Sequence, residues 1–180
     1  GVVQDYEQAL GWFRKAAEQG NAAGQFNLGM MYLVGKGVEP NNSKAIDWFR
    51  KAAEQGDAQA QLNLGHLYFH GKGVPKSYDQ ALGWLSKAAE QGNAEAQNYL
   101  GYLYFEGKGV EPNDSKAIDW YIKAAEQGNA EAQKNLEMMY NKNNSEVANR
   151  DPKLTDWYKK REEEQNELLK RLSKVMRKPK

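Results

Sequence analysis

A six-residue string, KAAEQG, occurs four times in this chain and limits its fold more than any other feature. The copies follow one another at a constant interval of 36 residues. A fixed period of this size indicates stacked structural units, each of which buries its apolar face against its neighbours. One tryptophan per unit keeps the same interval, at Trp12, Trp48, Trp84 and Trp120.

Each unit has the pattern of two helices joined by a short turn. In the second unit Ala45, Trp48 and Ala52 recur at helical spacing, which predicts a first helix, helix A, that buries this stripe. Gly56 predicts the end of helix A, because glycine enters the left-handed conformation without a Cβ clash. Asp57 is then placed to cap a second helix, helix B. The predicted N-caps of helix A lie seven positions before each tryptophan: Asp5, Asn41, Ser77 and Asn113.

The combined pattern A-x-x-x-LG-x-x-Y-x-x-GKGV…KA-x-x-W-x-x-KAA-x-x-G resembles the Sel1-like repeat, a relative of the tetratricopeptide repeat. The resemblance covers residues 1–140 and implies an all-α fold, a right-handed α-solenoid of four 36-residue helix-turn-helix repeats with a C-terminal capping helix. We place the units at about residues 2–37, 38–73, 74–109 and 110–145.

The segment after the repeats differs from them in composition. Residues 1–151 carry 15 basic and 19 acidic side chains, whereas residues 152–180 carry 10 and 5. Asp151 and Pro152 form a cap and first-turn pair, so we predict a linker at 141–151 and a charged capping helix with a basic tail at 152–180. An apolar stripe follows on this helix, formed by Leu168, Leu169, Leu172, Val175 and Met176.

Motifs that suggest catalysis or ligand chemistry do not meet the requirements of that chemistry. The GKG strings lack the Ser or Thr and the preceding strand of a phosphate loop, so their glycines are predicted turn residues. His66 and His70 are spaced to share a metal ion but have no third ligand, and a pH-responsive contact is the one role left open for them. The chain has no Cys. We therefore expect no enzyme, no catalytic residue, no cofactor and no metal site.

The positions of helix A that differ between units are the candidates for recognition. In the family that this chain resembles, the A helices line a concave groove. The exposed stripe is expected five residues before, one before and two after each tryptophan, and the residue after the tryptophan is a possible apolar anchor. The predicted groove residues are Glu7, Arg14, Ser43, Asp47, Phe49, Arg50, Asp79, Ser86, Asp119, Tyr121 and Ile122. Asp47 and Arg50 are equally consistent with a simple intrahelical pair, and Phe49 and Tyr121 with packing between units.

These observations favour a noncatalytic scaffold that binds a protein or peptide partner in the groove. The alternative is an immunity-type inhibitor that neutralises a toxin or a secreted enzyme. We expect a monomer. The basic tail is open to three interpretations: a solvated terminus, a partner-docking helix, or a segment that binds nucleic acid or anionic membrane. The last is disfavoured, because its charges lack interleaved aromatic residues and give only a salt-sensitive attraction.

The resemblance to a family with many bacterial members suggests a bacterial protein. Because the first residues already lie inside a repeat, a trimmed N-terminus and a periplasmic or secreted location are the expectation.

Overall fold

The computed structural model describes residues 2–142 and 151–176, and the side chains of 5–141 and 151–176. Most of the predicted linker and the last four residues of the predicted basic tail lie outside the described residues. The described residues form helices and no strands. The helices are α1 (Val2–Glu18), α2 (Ala22–Val34), α3 (Asn42–Glu54), α4 (Ala58–His70), α5 (Tyr78–Glu90), α6 (Ala94–Glu106), α7 (Asp114–Glu126), α8 (Ala130–Lys142) and α9 (Pro152–Met176).

The helices alternate between two roles, as the repeat predicts. The A helices are α1, α3, α5 and α7, and the B helices are α2, α4, α6 and α8. Each helix packs mainly on the helices before and after it in the chain, and the most extensive contacts join a B helix to the A helix that follows. The fold is therefore an all-α solenoid of four repeats, followed by the C-terminal helix α9.

Polar side chains start the helices where the sequence predicts it, with one exception. Asn41 accepts a hydrogen bond from the backbone N–H of Lys44 over 2.9 Å, and Ser77 and Asn113 cap α5 and α7 in the same way. The prediction for Asp5 is wrong, because α1 already begins at Val2 and Asp5 lies in its first turn. The later A helices follow a proline, which disfavours helix in the residue before it, and no proline precedes Asp5.

The aromatic residue that fills each core is the residue after the tryptophan. Phe49 is 0% exposed and Tyr121 is 1% exposed, whereas Trp48 lies half-buried at the edge of the core. Phe49 and Tyr121 therefore cannot contact a partner, and their assignment to the groove is wrong. The prediction that Trp48 belongs to the buried stripe is also wrong, because Phe49 fills the core in its place.

Small glycines of the B helices make room for these buried side chains. A Cβ added at Gly29 would lie 2.8 Å from the ring of Phe49, and one at Gly101 would lie 2.5 Å from the ring of Tyr121. Contacts under 3 Å require the packing to shift. The glycine of the LG motif thus admits the side chain of the following A helix.

Buried glutamines connect one unit to the next. Gln61 is almost fully buried, and its Nε2 donates to the carbonyl of Ala53 at the end of α3 over 3.0 Å. Its Oε1 accepts from Gln91, the glutamine of the following KAAEQG string. Gln25 and Gln97 are bonded in the same pattern, to Gln55 and Gln127. We call these three pairs the glutamine ladder.

Helix α9 packs on the last unit with its first part only. Leu154 is fully buried in the core formed by α7 and α8, and Tyr158 stacks on Tyr140 with ring centroids 3.9 Å apart. Asp151 caps the helix as predicted, accepting from the N–H of Lys153 over 3.0 Å, and it also accepts from the hydroxyl of Ser115 over 2.8 Å. Every residue from 162 to 176 is exposed.

Candidate functional site: the exposed face of the A helices

The A helices present a shared exposed surface, which we call the A-helix face. In each unit it is formed by the residue before the tryptophan and the residues three and six positions after it. These residues are Gly11, Lys15 and Glu18; Asp47, Lys51 and Glu54; Gly83, Lys87 and Glu90; Asp119, Lys123 and Glu126. The Lys and Glu of every set belong to the KAAEQG string, so the hexapeptide supplies surface as well as core.

A lysine lies over the tryptophan of every unit on this face. The Nζ of Lys51 is 4.1 Å from the ring centroid of Trp48, and that of Lys123 is 4.1 Å from Trp120. The pairs in the first and third units are 5.4 and 4.5 Å apart. Such cation–π contacts hold the ammonium group in place and contribute about 0.5–1 kcal/mol at exposed sites. Sequence reasoning missed this row; the constant spacing of tryptophan and lysine, one helical turn apart, was the signal that could have found it.

The predicted polar residues of the first three units are mostly accessible. The side chains of Glu7, Arg14, Ser43, Asp47 and Asp79 are exposed, and that of Ser86 is half-buried. They are distributed in pairs over α1, α3 and α5.

Asp47 and Arg50 form the intrahelical pair considered above. An Arg50 nitrogen lies 3.9 Å from Asp47, and another donates to the hydroxyl of Tyr68 on α4 over 3.1 Å. Arg50 is half-buried as a result. Its guanidinium group is therefore bonded to other side chains of the solenoid.

The remaining two predicted residues lie together at the end of the solenoid. Asp119 forms an ion pair with Lys153 of α9, and this hydrogen bond raises the pKa of Lys153. Ile122 lies half-buried beside the core of the last unit. The structure thus places these two residues together beside α9.

A groove of about 410 Å³ lies between α7 and α9 at this point. Ile122 and Trp157 provide its apolar surface. Side chains of both signs line the remainder: Asp119, Lys123, Glu126, Lys153, Asp156 and Lys160. An apolar patch framed by charges of both signs suits a peptide segment, because it offers one buried anchor and several polar contacts.

The two histidines lie on α4, helix B of the second unit. Their ring centroids are 4.3 Å apart, and the ring of His66 also meets Tyr99 edge to face. Burial, then the charges of His70 and Lys72, lower the pKa of His66. Burial, then Lys72 and Lys76, lower the pKa of His70. In the part of the chain with described side chains, no cluster of three or more His, Cys, Asp or Glu residues could hold a metal ion.

The fold and this surface define the class of the protein. It is an α-solenoid repeat protein with a row of lysine–tryptophan pairs along the exposed face of its A helices. The Sel1 repeat matches residues 1–21, 22–57, 58–93 and 94–129. The chain belongs to the Sel1 repeat family. Sel1 repeats commonly mediate protein–protein interactions and are generally noncatalytic scaffolds. No helix within 2–142 and 151–176 combines the length and apolarity needed to cross a membrane.

Solved structures of bacterial repeat proteins are similar to this chain. A protective antigen of uropathogenic Escherichia coli with an SLR fold is 46% identical, with a TM-score of 0.72 over 75% of this chain and 29% of that one. A Sel1 repeat protein from Oxalobacter formigenes is 42% identical, with a TM-score of 0.66 over 71% and 52%. Helicobacter pylori cysteine rich protein B is 29% identical, with a TM-score of 0.58 over 73% and 95%. The chain thus spans less than two thirds of the first two proteins. No curated protein matches it.

Proposed function

We propose that this protein is a noncatalytic scaffold that binds a protein or peptide partner on its A-helix face, with the groove between α7 and α9 as the anchoring point. The observation that carries the proposal is this groove itself, in which Ile122 and Trp157 form an apolar patch between charged walls. The role is that of an adaptor, and the bound segment provides an apolar side chain flanked by polar or charged groups.

The repeat explains why recognition concentrates in this groove. The position of Ile122 is occupied by Arg14, Arg50 and Ser86 in the earlier units, so only the last unit offers an apolar side chain there. The Trp and Lys of each unit are constant, so they present the same side chains along the whole A-helix face and do not distinguish one unit from another. A specific partner is therefore selected at the end of the solenoid, where α9 adds a second wall.

A capture experiment with two matched variants tests the proposal. The groove variant is Ile122→Ser/Lys160→Glu, whose serine already stands at this position in the third unit as Ser86. The control is Val34→Ser/Lys134→Glu, which makes the same apolar-to-serine change and the same charge change at exposed positions of the B helices. Proteins captured by the wild type are identified and then titrated against all three chains.

The groove variant is expected to bind at least tenfold more weakly than the wild type, and the control to bind as the wild type does. Equal affinity of the groove variant, with its helical content unchanged, would rule out the α7–α9 groove. The identity of the captured partner separates the adaptor from the immunity-type inhibitor, because the latter retains a toxin or a secreted enzyme.

A further inference from the structure

The two histidines form a side-chain cluster that the proposed function does not use. His66 and His70 are four positions apart on α4, which places their side chains one above the other on the same face of the helix. Their ring centroids lie 4.3 Å apart, at an interplanar angle of 60°. The chain contains two His and no Cys, so this pair holds all of its imidazole groups.

The separation of the two rings is close to the one that a shared metal ion requires. For a metal–nitrogen distance of about 2.0–2.1 Å and an angle of about 90–110° between the ligands, the ring centroids of a chelating pair lie about 4.5–5 Å apart. The observed separation is slightly shorter. Rotation of the exposed His70 side chain is enough to supply the difference.

One ring of the pair is held by its neighbours and the other is open to solvent. His66 is half-buried and meets the ring of Tyr99 on α6 edge to face, with the centroids 5.7 Å apart. His70 is exposed, and the ring of Phe69 lies 4.9 Å from it. A metal ion can therefore reach the pair from solvent, and water can fill the coordination positions that the protein leaves open.

Both imidazoles are in the protonation state that ligates a metal. Burial lowers the pKa of both side chains, followed in effect by nearby positive charge, so both rings are neutral at about pH 7. Lys72 and Lys76, in the segment after α4, supply part of this charge. They also repel a divalent cation, so we expect a moderate affinity that rises when one of them is neutralised.

We propose that His66 and His70 form a two-histidine site for a divalent transition-metal ion, with water in the remaining coordination positions. The class of ion follows from the ligands, because imidazole nitrogens suit Cu²⁺, Ni²⁺ and Zn²⁺ whereas Mg²⁺ and Ca²⁺ take oxygen ligands. The sequence led us to expect no metal site because a third protein ligand is lacking, and water takes the place of that ligand here. The groove between α7 and α9 shares no residue with this pair, so the site is independent of the function proposed above.

Calorimetric titration of the complete chain, prepared without added histidines, tests the site at about pH 7.5, where both rings are neutral. We expect one ion per chain, Cu²⁺ bound more tightly than Ni²⁺ or Zn²⁺, and no binding of Mg²⁺. His66→Gln/His70→Gln should bind Cu²⁺ at least tenfold more weakly. The control Lys72→Gln keeps both rings and should bind at least as tightly as the wild type. Equal affinity of the double variant and the wild type, with helical content unchanged, would overturn the proposal.

Two further measurements distinguish a shared ion from separate ions on the two rings. If the ion is chelated, His66→Gln and His70→Gln should each lose at least tenfold in affinity, because either change leaves a single imidazole. Electron paramagnetic resonance of the Cu²⁺ complex should show two nitrogen ligands in the wild type and one in each single variant. A single nitrogen ligand in the wild type, or two ions per chain, would contradict the shared site.

Discussion

The side chain of Gln91 donates from Nε2 to Oε1 of Gln61 over 2.8 Å and so joins two units across thirty residues of chain. Gln91 belongs to the exposed turn of its KAAEQG string, and Gln61 is buried in α4. Gln91 also donates to the carbonyl of Gly56, at the corresponding turn of the preceding unit. The hexapeptide therefore holds consecutive units together through its glutamine.

Removing one member of the glutamine ladder should destabilise the solenoid. Gln97→Leu removes two hydrogen bonds, the one that Gln97 donates to the carbonyl of Ala89 over 3.1 Å and the one that it accepts from Gln127 over 2.8 Å. A typical hydrogen bond contributes about 0.5–1.5 kcal/mol, so the loss of both should lower the free energy of unfolding in urea by about 1–3 kcal/mol. The exposed control Gln59→Ala should change it by less than about 0.5 kcal/mol. Equal effects of the two substitutions would show that the ladder contributes nothing.

Two helical glycines that each follow a leucine in the sequence should respond to alanine in opposite directions. Gly101→Ala places a methyl group 2.5 Å from the ring of Tyr121 and should cost about 1–3 kcal/mol through overpacking. Gly83→Ala meets no atom within 4 Å on an exposed helix and should stabilise the protein by about 0.5–1 kcal/mol. Thermal unfolding measures both changes. A stable Gly101→Ala variant would contradict the role given to the glycine of the LG motif.

The tryptophans at equivalent positions should differ in their contribution to stability. Trp84 packs against the core of the second unit, whereas Trp12 is 70% exposed. We expect Trp84→Ala to lower the free energy of unfolding by about 2 kcal/mol, less than for a fully buried ring, and Trp12→Ala, which loses only its contact with Lys15, to lower it by less than about 1 kcal/mol. Urea denaturation of the two variants checks this order, and the reverse order would contradict the packing described here.

Stability should decrease as the pH falls below about 6.5. Both histidines have a lowered pKa in the folded state, so in this window the unfolded chain binds more protons and acid favours unfolding. The loss of stability begins as the pH falls through the ordinary pKa of histidine and is complete below the lowered pKa of the folded state. Urea midpoints compared at about pH 7 and pH 5.5 measure it. His66→Gln/His70→Gln should flatten this dependence; an unchanged slope in the variant would assign it to other groups.

The sequence predicts the local features of this fold and misses the features that depend on contacts between neighbouring units. The period is read directly from the repeated string, and the caps at Asn41 and Asp57 and the end of helix A at Gly56 each depend on residues a few positions apart. The choice between Trp48 and Phe49 for the core does not, because both border the same helix face and a glycine in the preceding B helix decides it. The glutamine ladder was missed for the same reason.

The candidate site was predictable only in part. Positional differences between units indicated Asp119 and Ile122, which line the groove. The same differences also indicated Phe49 and Tyr121, which are buried, and Arg50, which is bonded to Tyr68. Variation between repeats reports both on surface and on core packing, and only the arrangement of α9 over the last unit shows which positions form a groove.

The central claim, that a partner binds between α7 and α9, is tested most directly by hydrogen exchange with and without the captured partner. We predict slowed exchange in residues 119–126 and 153–160 and no change in the B helices α2 and α4. Protection confined to the B helices, or none within α7 and α9 at saturating partner, would contradict the account.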